Sequence, residues 1–161
     1  MTQGKFDKML EVCLTMYNLD KENLLSAWAY GHALVWNNKI KEAIKLFDLT
    51  YTKYPDETWS SMGKALRHAI NNEKQEALKS ITRKVEKAAE LDHVAAWWLA
   101  EVYALIEEKD KAIDYLERAT RENMNYPLFA EYDPLLEYIR SESRFKKLMK
   151  KVKYQMENFE V

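Results

Sequence analysis

Three alanines, Ala43, Ala77 and Ala112, stand 34 and 35 residues apart, and each sits in the same surroundings. Twelve positions before each lies another small residue, Gly31, Ala65 or Ala100. Four positions after each lies a larger apolar one, Phe47, Ile81 or Leu116. Small residues let two helices cross closely, and a bulky residue one turn further on fills the space between them. A period of this length therefore reads as paired helices stacked in register. Composition agrees: among 161 residues there are only three Gly and three Pro, while 47% are apolar and 32% charged. That balance favours helix over a β-rich or disordered chain.

The first period, 24–57, carries Gly31, Leu34, Ala43, Phe47 and Pro55. The third, 93–126, carries Leu99, Ala100, Tyr103, Ala112, Leu116 and Ala119, with its proline displaced to Pro127. The second, 58–92, keeps Ala65 and Ala77 but places Lys64, His68 and Lys84 at normally apolar positions. At these spacings the chain resembles the tetratricopeptide repeat family. The resemblance implies an all-α fold: an antiparallel helix-pair solenoid forming a right-handed superhelix, with C-terminal capping helices. A single domain over 1–161 is expected, with a half-repeat at 4–23, the three repeats, and a cap at 127–161.

Asn37-Asn38 and Asn71-Asn72 fall at the turn inside a pair, where one residue must take a left-handed conformation; Asn accepts it next best after Gly. The half-repeat begins at the turn residue Gly4, with Phe6, Met9, Cys13 and Met16 expected inward. It suggests an unusual cap or, as the favoured expectation, a chain cut from something longer. Towards the other end, Asp133-Pro134 starts a helix as N-cap and first turn. A further helix starting at Ser141 or Ser143 carries Phe145, Leu148, Met149, Val152 and Met156 at helical spacing. This closing segment is similar to those of bacterial signalling proteins whose output domains are kinases, cyclases or transcription regulators.

In the family the first helix of each pair lines a concave face. The corresponding residues are Leu25, Trp28, His32, Val35 and Trp36, then Trp59, Met62, Leu66 and Ile70, then Val94, Trp97, Trp98 and Glu101. From these, Trp28, His32, Trp36, Trp59, Met62, Leu66, Trp97 and Glu101 are the candidate partner-binding residues, because a bare aromatic surface marks a partner site. The competing reading is that helix packing turns the same stripe into core. Trp97 and Trp98 are adjacent, so one of them belongs to the core in either case. The carboxylate clamp of the family's peptide-binding members is absent, since Trp28, His32, Gly63, Val94 and Trp98 occupy its positions.

Little else carries chemistry. His32, His68 and His93 form no metal-ligand spacing, so no metal is expected. Cys13, the one cysteine, reads as an apolar filler. No glycine-rich phosphate loop, nucleophile elbow or metalloprotease helix is present, so no catalytic residue, no cofactor and no enzyme are expected. A formal charge of −1 supplies no field for nucleic acid or anionic membrane. No apolar run reaches the roughly 20 residues of a membrane span, and the N-terminus lacks a secretory pattern; a cytoplasmic location is the default expectation. The basic run Arg140, Arg144, Lys146, Lys147, Lys150, Lys151 and Lys153 suits either a solvated cap or an acidic partner.

The expected function is non-enzymatic protein or peptide binding. One alternative is a regulatory or self-associating segment of a larger signalling protein, contacting its own chain or a second copy. RNA binding by helical repeats is the remaining alternative, with the acidic-leaning charge against it.

Overall fold

The computed structural model of the chain describes residues 3–120 and 127–158. Every regular element among them is helical: α1 (Gln3–Leu19), α2 (Leu24–Trp36), α3 (Ile40–Lys53), α4 (Thr58–Ile70), α5 (Lys74–Ser80), α6 (Arg83–Leu91), α7 (His93–Leu105), α8 (Lys109–Ala119), the short α9 (Pro127–Ala130), a 3-10 helix (Pro134–Ile139) and α10 (Ser143–Glu157). The close of the third period at 121–126 and the side chain of Met156 lie outside the described residues. No described helix is long and apolar enough to cross a membrane. The fold is all-α, built of adjacent packed helices, and its contacts gather into two compact units, Met1–Val85 and Glu86–Val161. The division falls inside α6.

The helices α2, α4 and α7 begin at Leu24, Thr58 and His93, the residues that open each period. Two of these starts are fixed by side-chain caps. The Asn23 carboxamide oxygen accepts the Ser26 backbone N–H at 2.9 Å. Asp92 accepts Val94 and Ala95 N–H at 2.7 and 3.0 Å, satisfying donors that a helix start leaves orphaned.

The turns within pairs use one geometry three times. Asn38, Asn72 and Glu107 have φ of 57°, 59° and 64°. In each, the left-handed residue donates its N–H back to Val35, Ala69 or Ala104, and the next residue reaches Leu34, His68 or Tyr103 at 2.9 Å. This is the bond pair that closes a helix with a left-handed cap. The two Asn residues suit it, but Glu107 has no local carboxamide to offset the steric cost of positive φ. Replacing Glu107 by Gly is therefore expected to raise stability by about 1 kcal/mol, read as an increased urea midpoint. Asn38→Gly is expected to change it by less.

In the unit Met1–Val85, α1 packs on α2, α2 on α3, α3 on α4 and α4 on α5, while α2 also meets α4. The small residues recurring through this unit, Gly31, Ala43, Ala65 and Ala77, are all buried. Phe47 of α3 is the bulky partner. Its ring lies against both Gly31 of α2 and Gly63 of α4, so that a Cβ on Gly31 would overlap it and one on Gly63 would stand 2.8 Å away. One ring thus sets the approach of three helices.

Three details differ from the sequence reading. Gly4 lies within α1 rather than at a turn. Met16 points outward; the inner face of α1 runs through Phe6, Cys13 and Tyr17, with Tyr17 stacked on Tyr30 at 5.4 Å. The second helix of the middle period is broken into α5 and α6 at Ile81-Thr82. There Ser80 donates its hydroxyl to the Glu76 carbonyl at 2.8 Å, and the Thr82 hydroxyl accepts the Val85 N–H at 3.4 Å. Hydroxyl side chains offer the backbone such alternatives to a continuous helix.

In the unit Glu86–Val161, α7 packs on α8 and on the 3-10 helix, and α10 packs on α8 and α9. Ala100 and Ala112 are fully buried with Leu116. Asp133 caps the 3-10 helix by accepting the Leu135 N–H at 2.9 Å, so the expected helix start is in place with 3-10 geometry.

Candidate functional site

A helix that is apolar around its whole circumference is buried on all sides. Helix α2, LLSAWAYGHALVW, has no Asp, Glu, Lys or Arg, and α7, HVAAWWLAEVYAL, has only Glu101. Most of the residues expected to line a concave face accordingly sit inside. Trp28, His32, Met62 and Leu66 are buried in the first unit, and Trp97, Trp98 and Glu101 in the second. Trp36 and Trp59 keep partial exposure. The sequence left two readings of this stripe open, and for the buried residues packing takes up the side chains.

The first unit joins these rings into a ladder. Phe47 stacks on Trp28 at 5.5 Å, Trp28 on His32 at 5.5 Å, and His32 meets Trp36 at 4.3 Å. Phe6 of α1 closes it against Trp36 at 5.4 Å. Asn37 ties the same corner by donating its side-chain N–H to the Phe6 carbonyl at 3.0 Å. Offset and tilted rings at such separations contribute beyond their buried area. His68 lies elsewhere, on α4, paired with Glu73, which also receives Arg67 at 2.7 Å. Among the described residues no three His, Cys, Asp or Glu side chains are grouped to hold a metal ion.

The second unit holds a buried polar cluster. The Trp97 indole N–H donates to Glu101 at 3.0 Å and to Asp133 at 3.1 Å, although Asp133 is 36 residues further along. Arg140 donates to the Asp133 carbonyl at 2.5 Å. Glu101 is 0% exposed. Burial pushes its carboxyl up to about 8, against the opposing pull of hydrogen bonds with Asp133 and Trp97. Glu101 therefore keeps its proton at neutral pH, because an uncompensated buried carboxylate is far costlier than a neutral acid. The cluster latches the start of the 3-10 helix onto α7.

Two features stand out on the surface of the described residues. On α1, Val12, Met16 and Leu19 are exposed at 59%, 47% and 83% and follow i, i+4, i+7 spacing. On α10, cations flank a buried apolar spine of Phe145, Leu148, Met149 and Val152. One flank borders a cavity of about 480 Å³ beside Glu117, Thr120, Lys147 and Lys151. The other borders a cavity of about 410 Å³ beside Glu131, Arg140, Lys146 and Lys150. Arg144, on the first flank, is engaged by an acidic row on α8, at 2.8 Å from Asp114 and 3.1 Å from Glu117.

No protein-family model and no curated protein matches the sequence. Among solved structures, the chain is similar to one titled "MamA RS-1 ArsTM double mutant". The identity is 17%, the match covers 98% of this chain and 90% of that one, and the TM-score is 0.48.

The exposed row on α1 is hidden in the sequence because the inner face of that helix runs through Tyr17 rather than Met16. The Glu101–Asp133 pairing escaped it too. Its sequence signal is a lone carboxylate in an otherwise apolar helix, which calls for a buried partner.

Proposed function

We propose that this chain is a protein-binding module of packed helix pairs and that it docks a partner's helix on the outer row of α1. The observation that carries the reading is the exposure of Val12, Met16 and Leu19 in one helical row. Half-buried Met9 links that row to the packed face of the same helix. Two turns of apolar side chains at this spacing match the anchors by which an amphipathic helix seats on another helical surface. Trp36 and Trp59, on α2 and α4, are residues of the expected groove that keep partial exposure. The buried ones, from Trp28 to Leu66, act as the rigid support behind the surface. In this reading the chain performs no chemistry, and protein rather than nucleic acid is the partner.

The test is a selection of binders from a library of amphipathic helical peptides, followed by affinity measurements on surface variants. Val12→Glu combined with Met16→Glu is expected to weaken the selected peptides at least about tenfold, a change of roughly 1.4 kcal/mol. Both positions are exposed, so the helical circular dichroism and melting temperature should stay as in the parent. Peptides that bind the double variant as tightly as the parent would place docking elsewhere and sink this reading.

A further inference from the structure

The 14 residues Arg140–Lys153 hold seven Lys or Arg and one acid, a net +6 in a chain whose formal total is −1. Charge this uneven suits an acidic partner as well as a solvated cap. Part of it is neutralised within the unit, where Arg144 meets the acids of α8 and Lys153 meets Glu131 at 2.7 Å, while Lys109 takes up Glu142, the one acid of the run.

On the side of α10 facing Glu131 and Arg140, the cavity of about 410 Å³ has Phe145 and Met149 at its floor. Lys146, Lys150 and Lys153 stand along its rim. Among the described residues that line it the acid is Glu131, which Lys153 engages, with Glu157 also near Lys153. Arg140 is held in place by the bond from its guanidinium to the Asp133 carbonyl.

We propose that this groove receives an acidic amphipathic helix from a partner protein. Its carboxylates would meet Lys146 and Lys150, and one apolar side chain would rest on the lysine stems and the exposed edges of Phe145 and Met149 between them. Spacing favours such a ligand. Lys146, Lys150 and Lys153 follow i, i+4, i+7, a run of about 10 Å along a helix, and carboxylates at the same intervals on a second helix share that repeat. The apolar floor favours it too. A phosphate backbone would use only the lysine ammonium groups, whereas an apolar anchor would also cover the aliphatic stems of Lys146 and Lys150 and the small edges of Phe145 and Met149 left exposed at 4% and 5%. This surface lies on a different helix from the α1 row and does not rest on that reading.

The test uses the full chain and a fluorescein-labelled alanine-based peptide of about 16 residues, long enough to be partly helical in water. The peptide carries Glu at four- and three-residue intervals and one central Leu. Saturable binding is expected, weakened by salt and by at least about tenfold in Lys146→Glu/Lys150→Glu. The milder Lys146→Ala/Lys150→Ala pair should fall in between. Both pairs replace exposed side chains, and unchanged melting curves verify folding. Val12→Glu/Met16→Glu should bind this peptide as the parent does, which separates the two surfaces. Changing the central Leu to Ser, or all Glu to Gln, should each cost several-fold or more. The proposal is overturned by no binding, by a lysine-independent affinity, or by equal binding of the Ser peptide. It is also overturned if an oligothymidylate or a phosphatidylserine vesicle binds the lysine row more tightly and displaces the peptide.

Discussion

Gly31→Val is expected to lower the stability of the chain by about 3 kcal/mol, at the upper end of what overpacking a core costs. A Cβ at Gly31 would enter the volume of the Phe47 ring, and the ring has Gly63 at its other side. It cannot yield towards α4 without meeting a second backbone. Helix propensity works the other way, since any side chain in mid-helix improves on Gly by up to about 1 kcal/mol; Val recovers only part of that and adds two methyl groups to the overlap. The decisive measurement is a double-mutant cycle in urea. Phe47→Ala alone should cost about 3–5 kcal/mol, as deletion of a buried ring does. In the Phe47→Ala background, Gly31→Val should cost little or restore stability, because its methyl groups enter the space the ring leaves. That coupling, of about 3 kcal/mol, is the specific signature of one ring wedged between two glycines. Strict additivity would mean that the two residues do not share a volume.

The same contact shows why much of the architecture could be read from the chain. Close crossing demands small residues at fixed intervals, and that demand is written directly as Gly31, Ala43, Ala65, Ala77, Ala100 and Ala112. Turn geometry was legible where the residue type advertises it, at Asn38 and Asn72. It was hidden at Glu107, which adopts the same positive φ without any compositional sign. The break between α5 and α6 depends on whether Ser80 and Thr82 turn their hydroxyls onto the backbone, a choice the sequence permits but does not force. For the candidate site, the residue types were visible and their direction was not. Periodicity places Trp28, His32, Met62 and Leu66 on one face of their helices. Whether that face meets water depends on neighbouring helices that periodicity does not locate. The lack of charge around α2 and α7 was the available sign that these helices are enclosed. On α1 a one-residue offset, Met16 for Tyr17, was enough to exchange an inner residue for an outer one.

Glu101→Gln is expected to stabilise the chain at pH 8 by a few kcal/mol while changing little at pH 5. The sign follows from proton counting. Below about 4.5, the ordinary value for Glu, the carboxyl is protonated both folded and unfolded, and this group adds no pH dependence. Between there and about 8 the unfolded chain releases the proton and the folded one keeps it. The folded state then binds more protons, so stability falls with rising pH by up to about 1.4 kcal/mol per pH unit. Above about 8 both states are ionised and the loss levels off. The groups that face Glu101 are the Trp97 indole and Asp133. A Gln carboxamide can accept the indole N–H and donate to Asp133 without ever acquiring charge. Glu22, Glu73 and Glu76, which ion pairing and hydrogen bonds hold below the usual carboxylate range, act in the opposite sense and at pH values below this window. Melting temperatures recorded from pH 5 to 8 should fall with pH more steeply in the parent than in Glu101→Gln. Glu101→Ala separates charge from packing: it removes the proton effect but leaves buried donors and acceptors unmatched, and should be destabilised by about 1–3 kcal/mol at pH 5. Parallel pH profiles for the parent and Glu101→Gln would mean that the carboxyl is ionised in the folded chain, and that the latch between α7 and the 3-10 helix does not rest on a proton held by Glu101.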